Sequence, residues 1–104
     1  MGAKLIRDRM GDIPWEVEAA KGLLRRPNNA HEHGRLLIQK LLEEVGELVA
    51  AESTKDMTNE IADVMEVLEG LATWHDIGDQ EVQAAKRARY VARGGFQDGL
   101  VWDV

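Results

Sequence analysis

The sequence predicts an all-α fold: a helical hairpin with additional helices, contained in one domain spanning residues 1–104. Three observations lead there. Two long stretches repeat their apolar residues at the 3, 4 and 7 spacings of a single helix face. Clusters of Gly and Pro punctuate this helical pattern and mark its breaks. The chain is long enough for one domain and one modest core, and it contains no internal repeat or low-complexity segment.

The elements follow in order. "AKLIRDRMGDIP" is a short helical or extended lead-in that ends at Gly11 to Pro14, and "WEVEAAKGLL" is a short helix broken by "RRPNN". The first long helix runs from about Ala30 to Glu52, with Leu37, Ile38, Leu41, Leu42, Val45, Leu48 and Val49 on one face. "STKDM" makes the turn. The second long helix runs from about Asp56 to His75, with Met57, Ile61, Val64, Met65, Leu68, Leu71 and Ala72 on one face. Gly78 is its C-terminal signal, Asp79 the N-cap of a third helix "QEVQAAKRARYVAR", and Gly94 and Gly95 stop that helix. The tail "GGFQDGLVWDV" is read as a short extended edge.

Composition narrows the function classes. A net charge of −6 argues against a phosphate-backbone binder of DNA or RNA. No apolar run approaches the roughly 20 residues that span a bilayer, and "MGAKLIRDRM" is not a signal peptide. Ile6 stands where the myristoylation pattern expects Ser or Thr. Without cysteine there are no disulfides, thiolate nucleophiles or cysteine-ligated zinc. A soluble, cytoplasmic protein is expected. The charge is also uneven: Glu43 to Glu69 holds nine acids and one base, while bases gather towards the two ends of the chain. Such asymmetry suits a site taking a cation on one wall and an anion on the other, and it equally suits a solvated acidic surface.

The acids have a pattern. Glu44 and Glu47 lie about 60° apart on the rim of the apolar face of the first helix. Glu60 and Asp63 repeat that relation on the second, where Glu60 projects into the apolar arc; Glu66 and Glu69 point away. An antiparallel hairpin with a short turn lets Glu47 face Glu60, so that four carboxylates converge at the core edge. Unpaired, they would repel one another and desolvate poorly. A hard divalent cation, Mg²⁺ or Mn²⁺, is the natural compensation. Other carboxylate schemes fail: no Glu stands three residues before His31, His33 or His75, as a di-iron bundle requires, and no EF-hand loop occurs. "HEH" at 31 to 33 places its two histidines on different faces and is read as a solvated turn.

"EEVGE" at 43 to 47, twelve intervening residues, and "EIAD" at 60 to 63 resemble the E-E-x-x-E…E-x-x-D signature of the MazG-like all-α NTP pyrophosphohydrolase superfamily. "KLIRDR" at 4 to 9 and "RGGF" at 93 to 96 resemble the ends of its phosphoribosyl-ATP pyrophosphohydrolase-like subgroup. The likeness covers roughly residues 4 to 100. The chain departs from the subgroup in "MGD", which separates "RDR" from Ile13-Pro14, and no role is carried over to Arg7 or Arg9. Gly46 sits inside the motif helix at a cost of about 1 kcal/mol relative to Ala, which close helix approach would offset.

The resemblance implies that Glu44, Glu47, Glu60 and Asp63 ligate Mg²⁺, with water attacking the α-phosphorus of a nucleoside triphosphate. Glu43 and Glu44 are then the catalytic carboxylates, Glu43 either orienting the water or helping to hold a second ion. Lys40 either reaches the bound phosphates or pairs with Glu44. Lys86, Arg89 and Arg93 share a stripe that either holds the triphosphate tail or simply favours the helix C-terminus. Trp74, Phe96, Trp15 and Trp102 are candidates for base stacking, although a Trp in a helical protein of this size more often serves the core or a subunit interface.

A lone hairpin with one extra helix buries little. The expected state is therefore a homodimer or homotetramer with a four-helix bundle at its centre, as the resemblance also implies. Two rival functions stand beside the hydrolase: a non-catalytic acidic module for a basic protein partner, and phosphoribosyl-ATP hydrolysis in histidine biosynthesis.

Overall fold

The computed structural model describes residues 2–8 and 24–103. It is all-helical, with α1 at Ala30–Ala50, α2 at Thr54–Trp74 and α3 at Asp79–Arg93, and no strand among the described residues. The short helix expected in "WEVEAAKGLL" lies outside the described residues except for Leu24. The chain forms two compact units, Met1–Leu71 and Ala72–Val104.

Capping side chains fix where α1 and α2 begin. Asn29 is extended and its Oδ1 accepts from the Glu32 backbone N–H at 2.8 Å, satisfying an otherwise orphan donor at the start of α1. Glu32 in turn accepts from the Asn28 N–H and from both terminal nitrogens of Arg25, at 2.7 and 3.0 Å. Thus "HEH" belongs to the capped first turn of α1. That helix ends two residues earlier than expected, because Ala51 turns extended. Ser53 starts α2 early: its Oγ accepts from the Asp56 N–H at 3.0 Å, so most of "STKDM" is helix and the link is only Ala51 to Ser53. At α3 the N-cap is Gly78, with Asp79 already inside the first turn. The tail is no edge strand; the Gly99 N–H closes a turn onto the Phe96 carbonyl at 3.3 Å.

The short link folds α1 and α2 back on each other. Their register is marked by Leu37 opposite Gly70, where an added Cβ would lie 3.4 Å from Leu37 Cδ2. The seam is small. Leu36 (3% exposed) and Leu37 are buried, while Leu41, Leu48, Val64, Val67 and Leu71 are half-buried. A second apolar stripe on each helix remains exposed: Ile38, Leu42, Val45 and Val49 on α1, and Met57, Ile61, Met65 and Leu68 on α2. On both helices this stripe lies about 100° on from the seam in the same sense. In an antiparallel pair, that places both stripes on one side of the hairpin. Gly46 has open space where close approach was expected, with nothing within 4 Å of an added Cβ; Gly70 is the glycine that meets a neighbour.

Candidate metal centre

Within about two helical turns of the link, α1 and α2 bring three carboxylates together. Glu44, Glu47 and Glu60 each offer an oxygen within 4.8 Å of the others. Helix periodicity aligns the first two one turn apart on α1, and the hairpin register sets Glu60 against Glu47. Glu44 is only 8% exposed, Glu60 half-buried and Glu47 exposed. The Oε2 atoms of Glu44 and Glu60 are both buried and have no hydrogen-bond partner.

Buried acceptors without donors are costly, and like charges at this spacing add to the cost. Both effects push protons onto the cluster. The Glu44 carboxyl is driven up to about 7, first by burial and then by its contact with Glu47 and the charges of Glu47 and Asp63; Lys40 opposes the shift. Glu60 is driven up in the same direction, by burial first and then by the charges of Glu47 and Asp63. A cation among these oxygens would relieve the desolvation and the repulsion together. With three carboxylates and no thiol, the donor set fits a hard ion of the Mg²⁺ or Mn²⁺ kind.

The other motif residues are placed differently. Asp63 stands outside the triad and accepts a hydrogen bond from Arg7 Nη2 at 2.6 Å. Glu43 also lies outside it, 3.3 Å from Lys40 Nζ and 3.8 Å from Lys4 Nζ. Lys40 stands 3.8 Å from Glu44 as well, so it bridges the two acids. Lys4 and Arg7 were not singled out from the sequence. The signal was "KLIRDR" itself, where Lys4 and Arg7 fall three residues apart in a segment with no periodicity to assign it a face.

In the second unit, Lys86, Arg87 and Arg89 of α3 line a cleft of about 480 Å³ with Tyr90, Gly95 and Phe96. Arg93 is not part of this lining. Of the aromatic candidates, Phe96 and Trp102 are almost wholly exposed, Trp74 is half-buried, and Trp15 lies outside the described residues. Comparison with protein-family models, curated proteins and solved structures finds no match to the chain.

Proposed function

We propose that the chain is a Mg²⁺-dependent nucleotide pyrophosphohydrolase, converting a nucleoside triphosphate to the monophosphate and pyrophosphate. One observation carries this reading: the triad of Glu44, Glu47 and Glu60, with two buried oxygens that lack any donor. Surface charge serving a basic partner would be solvated, so the acidic-module alternative leaves those oxygens unexplained. The spacing of the acids and their likeness to the MazG-like signature point from a cation site to phosphoanhydride chemistry.

Glu44, Glu47 and Glu60 would hold the ion, with Mn²⁺ as a substitute, and Asp63 completes the acid set one turn from Glu60. When bound, the ion supplies neutralisation of phosphate charge and a template for the polyphosphate. Water attacks the α-phosphorus, the bridging bond to the β-phosphate breaks, and pyrophosphate leaves. Glu43, placed beside the triad by its helix, is the residue proposed to orient that water. Lys40 faces the phosphates as a point charge, and Lys86, Arg89 and Arg93 are further proposed phosphate donors within their own unit.

The exposed apolar side of the hairpin supports a second proposal, assembly into a homodimer or homotetramer through a four-helix bundle. Leu42 at 67% and Val49 at 81% exposure are hard to account for in an isolated hairpin that buries so little. A cytoplasmic location accompanies this reading.

The test is a screen of standard, modified and phosphoribosylated nucleotides for pyrophosphate release, with Mg²⁺, with Mn²⁺ and with chelator. Metal-dependent release, lost in Glu60→Gln, is expected. Folded protein that releases no metal-dependent pyrophosphate from any of them contradicts the enzyme reading, and activity confined to phosphoribosyl-ATP selects the histidine-pathway alternative.

A further inference from the structure

The acids of the hairpin divide into two sets. Glu44, Glu47 and Glu60 share the triad, whereas Asp63 and Glu43 are each engaged by cations, two of which come from the N-terminal segment. Arg7 donates to Asp63 at 2.6 Å, and its other terminal nitrogen stands 4.0 Å from Glu66. Lys4 lies 3.8 Å from Glu43 Oε1, which Lys40, one turn earlier on α1, approaches to 3.3 Å. The segment that carries Lys4 and Arg7 is anchored by Gln39, whose Nε2 donates to the Ala3 carbonyl at 2.9 Å. Two bases are thereby laid along the edge of the acid cluster by a stretch of chain in which only Leu5 is half-buried.

The charges explain what such a stretch is for. With Glu66 included, six carboxylates face three cations, Lys4, Arg7 and Lys40, so the acids outnumber the bases and a divalent ion would offset part of the excess. A polyphosphate arriving with the ion brings negative charge beyond what the ion offsets, and cations already at the rim are the nearest donors. Arg7 is suited to exchange partners. Its planar fork fits a carboxylate and a phosphate equally well, and its side chain is 56% exposed, so the movement disturbs no packing. An exposed ion pair is also weakly held.

We propose that Arg7 and Lys4, with Lys40, form the phosphate-binding arm of this site. Arg7 holds Asp63 while the cation is absent and passes to the polyphosphate of an incoming metal–nucleotide complex, leaving Asp63 to the metal. This rests on the pyrophosphohydrolase reading and adds to it the residues that receive the phosphates. Arg7 is thus both a competitor of the metal and a ligand of the substrate, and these two roles have opposite signatures.

Calorimetric titration separates them, with Mn²⁺ alone as the first probe and inorganic triphosphate in the presence of Mn²⁺ as the second. In Arg7→Ala, Mn²⁺ binding tightens about two- to fivefold once the ion-pair competitor is gone. Triphosphate binding to the same variant weakens about tenfold. Lys4→Ala weakens triphosphate binding while changing Mn²⁺ affinity less than Arg7→Ala does. Arg7→Gln replaces Arg7→Ala if the latter melts, as followed by circular dichroism. If Arg7 only anchors the N-terminal segment, its removal lowers the melting temperature and leaves both affinities unchanged, which overturns the proposal; so does a parallel loss of both. Wild-type protein that binds no Mn²⁺ overturns the metal reading and this proposal together. Wild-type binding with no change in Arg7→Ala overturns the arm alone.

Discussion

Glu44 and Glu32 occupy the same helix and are shifted in opposite directions. Glu32 is held down at about 2, first by the Arg25 hydrogen bond and then by the Asn28 N–H. Glu44 is driven up to about 7, first by burial. An unfolded Glu titrates near about 4.3. Between about 4.3 and about 7 the folded protein keeps a proton on Glu44 that the unfolded chain has lost, so the metal-free protein loses stability as pH rises through that window. Glu32 acts in reverse: its stabilisation is complete above about 4.3 and is lost as pH falls towards about 2. The metal-free protein should therefore melt highest at about pH 4, where the two opposing slopes balance. Thermal melts across pH check this, and Glu44→Gln should flatten the neutral limb while leaving the acid limb in place. A neutral limb unchanged in that variant would mean that Glu44 is not the group being titrated.

At the scale of elements, the helices were legible and their ends less so. Apolar positions such as Leu37, Leu41 and Leu48 show the helical period directly, and a short link leaves an antiparallel return as the compact solution. The ends were decided by single side chains. Ser53 caps α2 through a hydrogen bond to Asp56, which competes with the turn that "STKDM" otherwise suggests. Asn29→Ala removes the corresponding cap of α1 and should cost about 1 kcal/mol, measured by denaturant unfolding; no loss would show that the Arg25–Glu32 pair alone holds that terminus. The convergence of Glu44, Glu47 and Glu60 was readable because helix periodicity and hairpin closure both act on it. The engagement of Asp63 was not. It depends on Arg7, 56 residues away in a segment without α-helix or strand, and no local rule links such a segment to a helix face.

For the whole molecule, the hairpin's two sides have different chemistry. One carries the apolar stripes of Ile38, Leu42, Val45 and Val49 and of Met57, Ile61, Met65 and Leu68; the carboxylates lie off those stripes. The proposed assembly covers the apolar side with a second copy. Val45→Lys places a charge in the middle of the α1 stripe and should convert the oligomer to monomer, read by light scattering coupled to size exclusion. A wild-type protein already monomeric at high concentration would contradict the bundle without touching the metal site. The central claim belongs to the acid triad, and a Mn²⁺ titration at pH 8 tests it most directly, because Glu44, driven up to about 7, is then mostly ionised and the ion has less proton to displace there. The account predicts saturable binding that raises the melting temperature, and that Glu44→Gln and Glu60→Gln abolish. Absence of binding by the wild type, or binding that both variants retain, would contradict it.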